Sequence, residues 1–157
     1  MGPRFFPVLS CVVPAACLAL PLSARADDQM LTSADPNYIL ELAQSYGAAA
    51  MDHDADGTPY ILARMRGMRY TIYFSSCENG TNCKTITLLT DNIYPFSAER
   101  ANEWNKGHRW ITAYEDNGSN FSMNIDFRGI TKDYVVNQFE TWFAYIPSIK
   151  EFLTTED

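Results

Sequence analysis

The residues able to do chemistry in this chain fall into a few short groups. Cys77 and Cys83 bracket Glu-Asn-Gly-Thr-Asn, with Asn79-Gly80 in the middle. That dipeptide favours the positive φ of a tight hairpin turn, and a hairpin brings two cysteines at this spacing within bridging reach. A disulfide is therefore expected. Redox catalysis would call for Cys-x-x-Cys at a helix start, and zinc for more ligands than His53 and His108 can add. A second group, Asp52-His53-Asp54-Ala55-Asp56-Gly57, matches the first half of an EF-hand loop, with Asp52, Asp54 and Asp56 as the candidate oxygen ligands. The second half fails: Ala63 stands where a bidentate Glu belongs, and Pro59 where a backbone N–H is needed. An acidic turn between strands is expected, with weak calcium binding as the alternative. Asn102 and Asn105 form the third group, three apart on one face of a short helix that also carries Trp104. Their amides can tie down a loop or meet a ligand, and loop-tying is the expectation. With the cysteines paired, nucleophilic catalysis would need a Ser or Thr activated by a base, and neither histidine falls in a motif that presents one. No catalytic residue and no cofactor is expected.

The surroundings of these groups bound the partners. Residues 1–26 have the pattern of an export signal: Arg4, an apolar run from Phe5 to Leu22, then the small-x-small motif Ala24-Arg25-Ala26. Pro7, Pro14 and Pro21 argue against a membrane helix in that run. A lipid anchor at Cys11 or Cys17 is disfavoured, because Pro14-Ala15-Ala16 lacks the leucine that such sites usually carry. Cleavage after Ala26 would leave 131 residues, 10 Lys and Arg against 19 Asp and Glu, and a net charge of −9. Nucleic acid and anionic lipid both need a basic surface and are poor partners for such a chain. A periplasmic or secreted location is expected, with no membrane association after cleavage. That location is also one where a Cys77–Cys83 bridge would persist.

Local patterns then supply the elements that must position these residues. Residues 27–34 read as a loose polar leader, and 35–157 as one domain. Asp35 and Pro36 suit the cap and first position of a helix with Tyr38, Ile39, Leu42, Ala43 and Tyr46 on one face, ended by Gly47. Ala48–Met51 is a possible short strand. Tyr60–Arg64 and Met68–Ser76 pair as a hairpin across Arg66-Gly67, and Lys84–Leu89 follows the cysteine hairpin. Ser97 caps the helix Ala98–Lys106. Arg109–Glu115 and Phe121–Phe127 read as a further hairpin around Asp116-Asn117-Gly118-Ser119. Phe121, Met123, Ile125 and Phe127 alternate with polar residues, as in a half-buried strand. Thr131 caps a last helix whose stripe of Val135, Phe139, Trp142, Phe143, Ile146, Ile149 and Leu153 is expected to pack on the sheet. Pro147 should kink or split it.

In this order the chain resembles the YbjN-like family, bacterial proteins described as sensory transduction regulators. The resemblance rests on Asp54-x-Asp56-Gly57-x-Pro59-x-Ile61, the Tyr70–Phe74 strand ending in Cys77, and the paired Cys83. It continues through Asn102-x-Trp104-Asn105, the Arg109–Tyr114 strand, and the final helix with Trp142 and Phe152. It implies an α+β fold similar to type III secretion chaperones: an antiparallel β-sheet with helices packed on it, in the order α-β-β-β-α-β-β-α. The family pattern at Asp54–Ile61 is a turn rather than a metal site, although Asp52 and His53 here are departures from it.

The functional expectation is a non-catalytic, exported binding, chaperone-like or regulatory domain that acts through protein–protein contacts. Its partner would be another protein or a second copy of itself. Asn102, Trp104, Asn105 and Trp142 are the residues expected to serve structure or a partner surface. The alternative is a small-molecule or calcium sensor, using a pocket between helix and sheet or the Asp52–Asp56 loop.

Overall fold

The computed structural model describes Gly2 and residues 29–90, 95–115 and 118–155. The expected cleavage site, Cys11 and Cys17, and the Asp116-Asn117 part of one turn lie outside the described residues. Helix α1 (Pro36–Tyr46) begins where its cap dictates, the Asp35 side chain accepting the Asn37 N–H at 2.9 Å. It ends at Gly47, but not through a left-handed cap, since Gly47 is extended. Glycine is needed there because a Cβ would sit 2.2 Å from the carbonyl oxygen of Arg64. Helix and sheet meet backbone against backbone at that junction.

Strands β2 (Ala48–His53), β3 (Pro59–Met65), β4 (Met68–Ser75) and β5 (Thr85–Thr90) follow as successive antiparallel neighbours. After helix α2 (Ala98–Gly107) come β6 (Thr112–Glu115) and β7 (Ser119–Asp126). The six-stranded sheet runs β2-β3-β4-β5-β7-β6, so β2 and β6 are its edges. Arg66 and Gly67, with φ of 47° and 80°, make the two-residue turn between Met65 and Met68. Such left-handed pairs match the twist of a hairpin. Helix α3 (Lys132–Thr154) closes the chain, capped by the Thr131 hydroxyl, which accepts the Tyr134 N–H at 3.2 Å.

The α+β class and the antiparallel sheet agree with the sequence reading, and several details differ. Four strands, not three, lie between α1 and α2: Ala48–His53 pairs with β3 over its whole length, although its alanines carry little strand signal. The segment read as a loose leader contains β1 (Met30–Leu31), which pairs with β8 (Ile130–Thr131). The strand expected from Arg109 begins only at Thr112. Helix α3 is unbroken through Pro147, its buried stripe holding both halves against the sheet.

One sheet face is the core. Ile61, Ala63 and Met65 of β3, Tyr70, Ile72 and Phe74 of β4, and Ile86 and Leu88 of β5 are buried on it. Phe121, Met123 and Ile125 of β7 continue the row. Ile39 and Ala43 of α1, Trp104 of α2, and Phe139, Trp142 and Ile146 of α3 join the same cluster. The other face carries Ala48, Ala50 and Asp52, then Tyr60, Leu62 and Arg64, then Arg69 and Tyr73, and Asn124 and Asp126 further on. Much of it is exposed.

Candidate functional site

Helix α2 carries the side chains with the most specific bonds. The Trp104 indole is buried, and its Nε1–H donates to the Ile111 carbonyl at 2.8 Å. The Ile111 carbonyl it engages lies immediately before β6. Asn105 Nδ2 donates to the Ala113 carbonyl at 2.9 Å, and its Oδ1 accepts the Ala113 N–H at 2.8 Å. One amide thus takes the part of a neighbouring strand at Ala113, on the outer side of β6. Asn102, expected beside it, is exposed and has no partner among the described residues. Of the two amides, Asn105 ties the chain down and Asn102 does not.

His108 lies flat on Trp104, ring centroids 3.7 Å apart, with its Nδ1 at 2.8 Å from the Trp104 carbonyl. Between α2 and the end of α3 is a cleft of about 480 Å³ lined by Arg100, Trp104, His108, Ser148 and Phe152 among others. The Arg100 guanidinium lies 4.5 Å from the Phe152 ring centroid and donates to the Phe152 carbonyl. The cation in this cleft is therefore engaged with the end of α3. Trp142 is no surface residue: it is fully buried and tilts against Tyr70 at 5.7 Å. Its Nε1–H has no partner among the described residues. Burial pushes the Tyr70 hydroxyl up to about 12.

Two of the three carboxylates of the acidic turn, those of Asp52 and Asp56, bond its own backbone. Asp52 Oδ1 accepts the His53 N–H at 2.8 Å, and Asp56 Oδ1 accepts the Thr58 N–H at 2.9 Å. The latter bond holds the Asp56 carboxyl below its ordinary range. Gly57, at φ 83°, completes the reversal. Among the described residues no three His, Cys, Asp or Glu side chains converge as metal ligands would. The loop works as a hairpin turn.

Cys77 and Cys83 are bridged, and Asn79-Gly80 forms the tight turn between them, with φ of 53° and 72°. Sequence reasoning missed what this hairpin holds: Cys83 pairs through its backbone with Ala34, in the segment read as a loose leader. It also missed the breadth of the exposed face. There Tyr60 and Tyr73 face each other across β3 and β4 with centroids 6.3 Å apart, and Leu62 is 47% exposed. The alternation Tyr60-x-Leu62-x-Arg64 was the signal, since it puts large side chains opposite the buried Ile61 and Ala63.

The elements from the α1 cap to the last turns of α3 coincide with one known family. A model described as "Putative bacterial sensory transduction regulator", YbjN, matches residues 35–151. The chain belongs to the YbjN family. The match starts at Asp35, the α1 cap, and leaves β1 outside. No curated protein and no solved structure matches the chain. The family description is regulatory, which agrees with a non-catalytic role. The Cys77–Cys83 bridge fits a location outside the reducing cytoplasm. No helix among the described residues is long and apolar enough to cross a membrane.

Proposed function

We propose that this YbjN-family chain is an exported, non-catalytic regulatory or chaperone-like domain that works by binding protein. The observation that carries the reading is how its polar side chains are spent. Asn105, Trp104, Asp52 and Asp56 all bond backbone, while a broad sheet face is left with Leu62, Tyr73 and Tyr60 outward. Aromatic and aliphatic side chains flanked by Arg64, Arg69, Asn124 and Asp126 have the mixed composition of a protein-contact surface. Export rests on the signal-like residues 1–26 and is supported by the disulfide.

The test is light scattering of the chain from Asp27, together with crosslinked capture from periplasmic extract by wild type and by Leu62→Asp/Tyr73→Asp. Self-association or a retained partner, lost in the double variant, is expected. A strict monomer that retains nothing would reject the reading. Small-molecule sensing is a second reading, favoured by the cleft between α2 and α3. Thermal-shift screening with an Arg100→Ala control addresses it directly.

A further inference from the structure

Two arginines stand side by side on the exposed face of the sheet. The Arg66-Gly67 turn makes Met65 and Met68 the last bonded pair of the β3–β4 ladder, so Arg64 and Arg69 form the next, non-bonded pair. Residues in such a pair approach to about 4.5 Å at Cα, and like charges set opposite one another repel. Neither guanidinium has a partner among the described residues, although the chain carries 19 Asp and Glu against 12 Lys and Arg. Most other cations are engaged within the chain. Lys84 pairs with Glu78, Arg128 with Asp126, and Lys150 bonds the Arg66 carbonyl. Arg66, Arg100 and Lys132 lie over the rings of Phe143, Phe152 and Tyr38.

Beside the arginine pair the face is hollowed. Ala48 lies across from Arg64 and Ala50 across from Leu62, so β2 sets only methyl groups next to two large side chains. The result is a groove of about 380 Å³, walled by Ala48, Ala50, Leu62, Arg64 and Arg69 among others. One end is cationic and the other aliphatic, with Leu62 exposed along it. Arg64 and Leu62 are two residues apart on one strand, a separation of about 6.8 Å.

The complement of this groove is a carboxylate with an aliphatic group about 6.8 Å away. The carboxylate seats between the two planar guanidiniums, each of which can take it bidentately, and relieves their repulsion. The aliphatic group lies over Leu62 and Ala50. An extended peptide presents both from one side when they are two positions apart, because side chains at i and i+2 share a face. A membrane surface is the poorer complement, since the two arginines are a local patch on a chain of strongly negative net charge.

We infer that Arg64 and Arg69, with Leu62 and Ala50, form a docking groove for an extended segment of a partner protein that carries Asp or Glu two positions from Leu, Ile or Val. This rests on the protein-binding reading above and names the chemistry of the partner.

The experiment screens the chain from Asp27 against an array of random decapeptides. An enriched peptide, and a copy with its carboxylate replaced by the amide, are then titrated into nitrogen-15-labelled protein by NMR. Expected are a carboxylate-x-aliphatic consensus, amide shifts centred on Ala50, Leu62, Arg64 and Arg69, and affinity lowered at least about tenfold by the amide copy and by Arg64→Gln/Arg69→Gln. Both arginines are exposed and repel one another, so that variant should melt no lower than wild type. Arg64→Glu/Arg69→Glu should exchange the preference for peptides with Lys or Arg in the carboxylate's place. No such consensus, shifts centred on another surface, or full affinity in Arg64→Gln/Arg69→Gln overturns the groove. A variant that alters only sedimentation makes the occupant a second copy and likewise overturns it. Partner capture that persists in Arg64→Gln/Arg69→Gln but is lost in Leu62→Asp/Tyr73→Asp overturns the groove while the broader protein-binding reading stands. If Arg64→Gln/Arg69→Gln is unfolded, the amide copy decides on wild type.

Discussion

The backbones of Ala34 and Cys83 pair with each other, Ala34 N–H to Cys83 C=O at 2.7 Å and Cys83 N–H to Ala34 C=O at 3.3 Å. Ala34 immediately precedes the α1 cap, so the disulfide hairpin holds down the entry to the first helix. Cys77→Ser should lower stability by about 2 kcal/mol, the loop-closure value for so short a ring. Hydrogen exchange should quicken at Ala34 and Cys83 while the β4 and β7 amides stay protected. Unchanged exchange at Ala34 would show that the bridge does not secure the α1 entry.

The two buried tryptophans should respond differently to loss of the indole N–H. Trp104 donates to Ile111, so Trp104→Phe strands a carbonyl as well as removing ring area. Trp142 donates to nothing among the described residues, so Trp142→Phe loses area but also relieves a buried, unmatched donor. Urea unfolding should show Trp104→Phe as the costlier change, by about 1 kcal/mol. The reverse order would mean that the Trp142 N–H finds a partner in solution.

Alkaline pH should unfold the domain partly through Tyr70. Burial raises its hydroxyl from 10.0 to about 12, so the unfolded chain ionises first. The stabilisation is complete below pH 10, falls as pH rises through the window to about 12, and amounts to about 2–3 kcal/mol. Tyr38, Tyr46 and Tyr60 are also pushed upward, desolvation first, so wild type alone does not isolate the effect. Tyr70→Phe should be close to wild type at pH 7 and the more stable of the two at pH 11.5. Parallel stability curves for the two proteins would assign alkaline unfolding elsewhere.

The acidic turn should behave as a turn. Asp56→Ala removes the acceptor for the Thr58 N–H and should lower the melting temperature, whereas Asp56→Asn keeps an acceptor and should recover most of the loss. Millimolar calcium should leave both melting curves and calorimetric heats unchanged. A calcium-dependent rise in melting temperature, abolished in Asp54→Ala, would make the loop a metal site.

What this chain's sequence determined by itself were the features whose causes lie within a few residues. The caps at Asp35, Ser97 and Thr131, the Arg66-Gly67 and Asn79-Gly80 turns, the alternation in β7 and the α3 stripe are of that kind, because dihedral preference and side-chain period act locally. The weak strand signal of Ala48–His53 gave only a possible short strand, Ala48–Met51, where a full edge strand stands, and nothing local to residues 29–34 announced partners as distant as Cys83 and Ile130. Tertiary structure alone decided which amide, Asn105 or Asn102, met a backbone. Those outcomes depend on where distant segments come to rest: a donor's pairing is settled by whatever the fold brings within about 3 Å of it.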